Sequence, residues 1–205
     1  MTHVKSVGFE KHFGKNKPIT AIKEHIKYIE ADKDHHREKP ELFNQNQDII
    51  QRQDFMTKIR EQPNRGVVAH KLVFTLSEDE YNKYNADLKD WTRQIINRFE
   101  IKTNQKLDWA ATIHYDEGHP HVHVVIRGYN EANKQVGFYP KHLKELQQYA
   151  QEEISRTPQI ELDLFIDREL TRQLQELKQE RKLVTPEIEP IQVKQKSMKQ
   201  QHLER

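Results

Sequence analysis

An α+β domain, with an antiparallel sheet of about five strands flanked by helices and followed by a C-terminal helical extension, is the fold class this sequence predicts. Three observations predict it. Short runs rich in β-branched and aromatic residues are interspersed with amphipathic helical stretches. Two of those runs, residues 107–114 and 121–128, lie close enough in the chain to pair as a hairpin. Apolar residues make up 34% of the 205 positions against 32% charged, so core material is scarce and concentrated in these segments.

The elements follow in order. Pro18 suits the first turn of a helix, where its missing N–H costs nothing. Ile19, Ile22, Ile26 and Ile29 then mark one helical stripe. At 100° per residue, Tyr28 projects roughly 140° from the centre of that stripe, toward a cleft or solvent. Residues 31–65 are polar with few apolar anchors and read as a mobile segment, with a short helix around 47–61. "VVAHKLVFTL" (67–76) has the content of a strand, and Ser77 with "SEDE" caps one long helix ending near Lys102. "LDWAATIH" (107–114) and "HVHVVIRG" (121–128) are the next strands, a short one follows near Val136–Phe138, and Pro140 opens another helix. Beyond Thr157–Pro158 the pattern turns to a charge-rich amphipathic helix. The expected organisation is a core over 1–158, a helical extension over 159–184, and an extended tail over 185–205.

The bulk properties narrow the function classes. No apolar run approaches the ~20 residues that a membrane-spanning helix needs, and the N-terminus lacks the apolar block of a signal peptide. The absence of cysteine excludes a disulfide framework and agrees with a cytoplasmic setting. Net charge is only +2, but six lysines stand between Lys5 and Lys27 against two acids. Such a segment is a solvated face unless a phosphate-handling site lies beside it.

"HYDEGHPHVHVVIRG" (114–128) carries four histidines, and two chemistries fit it. In an extended strand, residues i and i+2 share a face. His121 and His123 therefore point the same way. If the two strands pair as a hairpin, His114 lies across from them, and three imidazoles can hold a transition metal with open positions for substrate. Alternatively His119, His121 and His123 form the alternating triad of a nucleotide hydrolase that works without metal. That reading meets Pro120 where a strand residue is expected and leaves Tyr28, His114 and Asp116 unused. A third class, a DNA-binding module without catalysis, would bind tightly and never cleave.

The stretch resembles the third motif of conjugative relaxases, the plasmid-mobilisation nucleases of the HUH (His-hydrophobe-His) endonuclease superfamily. "HIKYIE" resembles the tyrosine motif of relaxases of the Ti-plasmid type, "HKLVFTLSEDE" their second motif, and "YPKHLKELQQYAQEE" the helix after the third. The MOBP and MOBL types look nearest. The resemblance implies an HUH relaxase-like fold and strand-specific DNA nicking. It implies Tyr28 as nucleophile, with His25 one turn away as an alternate or a DNA contact. His114, His121 and His123 would be the metal ligands, and Asp116 or Glu117 the assisting acid. Ser77, Arg127, Lys23 and Lys27 would contact DNA. Mn²⁺ is the expected ion, with Mg²⁺, Zn²⁺, Co²⁺ or Ni²⁺ as alternatives. The implied partners are single-stranded origin-of-transfer DNA, accessory relaxosome proteins and a coupling protein. The setting would be the bacterial cytoplasm, with transfer of the protein attached to its DNA. It also implies a further C-terminal region, so the chain reads as an N-terminal nuclease domain.

Overall fold

The computed structural model describes residues 2–13, 17–31, 40–116 and 119–184. Its elements are β1 (His3–Lys11), α1 (Pro18–Ile29), α2 (Arg52–Glu61), β2 (Val67–Thr75), α3 (Glu78–Tyr84), α4 (Leu88–Thr103), β3 (Trp109–Asp116), β4 (His119–Arg127) and α5 (Pro140–Val184). The strands form one antiparallel sheet in the order β1-β2-β4-β3. The α+β class predicted from sequence is therefore correct. The chain divides into two compact units, with the boundary between Glu161 and Leu162.

Alternation along the strands sends side chains to two cores. Leu72, Phe74, Val122, Val124, Ile126, Trp109 and Ala111 pack against Trp91, Ile95, Ile96 and Phe99 of α4 and Leu146, Ala150 and Ile154 of α5. On the other face, Ala69, Ala110 and Val125 meet Ile22, Ile26 and Ile29 of α1 with Phe55, Met56 and Ile59 of α2. The small alanines let α1 sit close to the sheet, and the isoleucine stripe read from the sequence is its buried face.

Four local expectations differ from the structure. The lysine-rich N-terminus is not a featureless charged face but strand β1, paired along its length with β2. The segment from residue 40 onward is anchored: Leu42 and Phe43 are buried, and Phe43 exchanges both backbone hydrogen bonds with Ala111, each 2.9 Å, on the outer edge of β3. Residues 32–39 lie outside the described part. The long helix expected from Ser77 is two helices. Asn85 adopts the left-handed conformation at φ 45°, which asparagine tolerates, and Asp87 caps α4 by accepting from the amides of Lys89 and Asp90. The short strand expected near Val136–Phe138 is absent. In its place stand a single bridge between Tyr129 and Gln135 and a bond from the Val136 amide to the Gly128 carbonyl, so the sheet has four strands.

Candidate metal centre and nucleophile helix

The β3–β4 hairpin pairs His114 with His121 and Thr112 with His123. The three histidines thus stand on one face of the sheet, the face that α1 covers further along. Their ring centroids are 5.3 Å (114–121), 4.8 Å (114–123) and 4.9 Å (121–123) apart. One ligand nitrogen from each lies within 4.8 Å of the others, and all three rings are half-buried.

The donor set suits a transition metal. Nitrogens each ~2.1 Å from one ion at a tetrahedral angle lie about 3.4 Å from each other. The Nε2 atoms of His121 and His123 are 3.2 Å apart. His121 donates from Nδ1 to the carbonyl of His119 at 3.0 Å, which leaves the Nε2 lone pair facing its neighbours. His114 donates from Nε2 to the carbonyl of Ile29 at 2.6 Å, so its Nδ1 carries the lone pair. Such outer hydrogen bonds fix the tautomer and the ring orientation of a ligand histidine. His119 enters only through its carbonyl and is itself exposed, so the structure does not gather His119, His121 and His123 into one cluster.

The bond to Ile29 also ties the histidine cluster to the last turn of α1. Ile29 is fully buried, while the adjacent Tyr28 is 53% exposed, as the helical geometry predicted. His25 is half-buried, with its ring edge-on to His123 at 6.5 Å. Burial, reinforced by the charge of Lys71, lowers the His25 pKa and favours the neutral imidazole.

A family model for relaxases, described as a MobA/VirD2-like nuclease domain, matches residues 28–156. The chain belongs to the relaxases. No curated protein matches it. The family makes this relaxase a DNA-nicking enzyme, and the matched span contains both Tyr28 and the three histidines.

The remaining residues singled out in the sequence are distributed unevenly. Lys23 and Lys27 are exposed on α1, where Lys27 pairs with Glu24 at 2.8 Å. Ser77 caps α3, accepting from the Glu80 amide in a capping box. Asp116 ends β3, and Glu117 lies outside the described residues. Arg127 is 8% exposed and ion-paired with Asp108 at 3.0 Å, and it stands at the opposite end of β4 from His121.

Thr75 was missed, and within the lysine-rich N-terminal segment the register singles out Lys5. Thr75 is registered directly beside His121, and Lys5 beside Val73, whose other neighbour is His123. Both therefore project from the histidine face of the sheet. A signal for Thr75 existed in the alternation of "KLVFT", which places Lys71, Val73 and Thr75 on the side away from Leu72 and Phe74.

Proposed function

We propose that this relaxase nicks one strand of origin-of-transfer DNA by metal-dependent transesterification and so starts conjugative transfer of a plasmid or related element. The observation that carries this reading is the 2.6 Å bond between His114 and Ile29, which joins the histidine cluster to the residue following Tyr28. His114, His121 and His123 would hold the ion. When bound, it supplies Lewis acidity toward a non-bridging oxygen of the scissile phosphate, a role for which Mn²⁺, Zn²⁺, Co²⁺ or Ni²⁺ suits imidazole donors better than Mg²⁺.

Tyr28 is the nucleophile. Its oxygen attacks phosphorus, the bond to the 3′-oxygen of the preceding nucleotide breaks, and a 5′-phosphotyrosyl link and a free 3′-hydroxyl result. A phenol attacks phosphorus well only once its proton is removed, so a neighbouring base has to accept it. Asp116 is assigned to that task or to orienting a ligand histidine, with Glu117 as its alternate. His25 stands one helical turn before Tyr28 as the alternate nucleophile or a DNA contact. Lys23, Lys27 and Ser77 are assigned to the DNA strand, and we add Thr75 and Lys5 because the register places them on the histidine face. The nuclease core is assigned to 1–158, with 159–184 an extension and 185–205 a tail that lies outside the described residues. Accessory relaxosome proteins and a coupling protein are its expected partners in the bacterial cytoplasm, and the protein is expected to travel covalently with the strand.

The test is a covalent-adduct assay with an oligonucleotide spanning the nick region and Mn²⁺. Wild-type protein is expected to give a band stable to denaturant, lost with EDTA and lost in Tyr28→Phe. An undiminished adduct in Tyr28→Phe would sink the nucleophile assignment.

A further inference from the structure

The outer strand β1 carries a feature that the nicking chemistry does not use. Phe9 is 50% exposed and Phe13 is 75% exposed, an unusual state for two phenyl rings four residues apart. The ammonium of Lys11 lies 5.9 Å from the centroid of one ring and 5.8 Å from that of the other. Phe9 is held from behind by His70, at 6.1 Å between centroids, and His70 is in turn packed on Phe138 at 5.0 Å. The ring is therefore braced on one side and open on the other.

We propose that Phe9, Lys11 and Phe13 form a stacking platform for single-stranded DNA, separate from the nicking centre. Flat apolar faces flanking a cation match a polymer that alternates flat bases with anionic phosphates, and they discriminate against a duplex, whose bases are already stacked. Glu10, between Phe9 and Lys11 in the strand, is paired with Lys71 at 2.8 Å, which offsets its charge toward an incoming phosphate. Phe9, registered with His70 beyond the bulge between Ser6 and Gly8, faces the other side of the sheet from Lys5. Lys5 itself stands on the histidine face. It shares a cross-strand row with His123, two strand spacings or about 10 Å away. Lys11 lies six residues further along β1, about 20 Å. A strand seated with its scissile phosphate at the histidines and running over Lys5 would have to cross the outer edge of β1 to reach Phe9, several nucleotides from the nick. The platform thus holds a DNA arm that has passed over the edge of β1, away from the histidine face. This inference rests on the relaxase reading for its ligand.

The experiment measures binding of the whole protein to a fluorescein-labelled 25-mer of thymidylate by anisotropy, over a series of salt concentrations. Phe9→Leu/Phe13→Leu keeps the apolar bulk and removes the ring faces at exposed positions. It is expected to weaken binding about tenfold or more with no change in salt slope, because stacking releases no counterions. Lys11→Gln is expected to reduce the slope by about 0.7, the value for one phosphate of a single strand. A Phe13→Trp variant should retain affinity, with its fluorescence quenched on binding; the native Trp91 and Trp109 are buried and give little competing response. Wild-type affinity in the double leucine variant would overturn the platform and leave the nicking assignment standing. Failure of the wild-type protein to bind the 25-mer would overturn the platform, while the adduct assay decides the nicking assignment separately.

Discussion

His121 and His123 share a strand face by simple alternation, but what brings a third imidazole to them is a single pairing, His114 with His121. Replacing two of the three ligands removes most of the chelation. His121→Ala/His123→Ala is therefore expected to lose bound Mn²⁺ or Zn²⁺ by elemental analysis, whereas His119→Ala retains it, since His119 contributes only a carbonyl. Equal occupancy in the two variants would refute the triad. Arg127 shows the opposite case, a charged residue whose function is internal. Its guanidinium and the Asp108 carboxylate are both nearly buried, and Asp108 also accepts from Lys58, so the carboxylate keeps one cationic partner when Arg127 is replaced. Arg127→Met is expected to cost about 1–3 kcal/mol of stability by chemical denaturation, with affinity for single-stranded DNA unchanged.

Helix α1 is placed by its isoleucines. Ile22, Ile26 and Ile29 are wholly buried over Ala69, Ala110 and Val125, and this packing puts the Ile29 carbonyl within reach of His114. Truncating Ile26 to alanine removes buried methylenes and leaves a cavity between helix and sheet, at a cost of about 2–5 kcal/mol. The same change should loosen the helix that carries Tyr28. Adduct formation in Ile26→Ala is expected to fall at temperatures where circular dichroism shows the protein still folded. Full activity there would show that α1 is held in place by other contacts. The close approach of Gly128 to the neighbouring strand is a second constraint of this kind. A Cβ at that position would meet the Val67 carbonyl oxygen at 1.8 Å, so the backbone itself has to move in any substitution.

At the scale of the whole molecule, pH acts through His70. The side chain is buried between Phe9 and Phe138, and it donates from Nε2 to the Val136 carbonyl at 2.9 Å. Burial lowers its pKa, and the carbonyl opposes that shift without reversing it. The unfolded chain therefore binds a proton on this residue more readily than the folded chain does. Its contribution to stability is complete above the ordinary histidine pKa of ~6.5 and is lost as pH falls below it. The melting temperature is expected to fall between pH 7.5 and 5.5, roughly the window around that ordinary value. In His70→Gln the fall should be shallower. Identical slopes in the two proteins would assign the pH response elsewhere.

The sequence alone determined what depends on local periodicity and side-chain chemistry. The isoleucine stripe of α1, the two hairpin strands, the alternation of His121 and His123 and the outward direction of Tyr28 were all legible, because each follows from a fixed angle or a fixed repeat along one element. Tertiary structure decided what depends on contacts between distant segments. β1 is an edge strand with one side half-exposed, so its residues lack the apolar alternation of a buried strand, and only pairing with β2 reveals it. Phe43 looks like an isolated apolar residue until its backbone meets Ala111. Arg127 looks like a phosphate contact until Asp108 comes to lie beside it. The bond from His114 to Ile29 joins residues 85 positions apart, and no local pattern encodes a contact that chain folding alone creates.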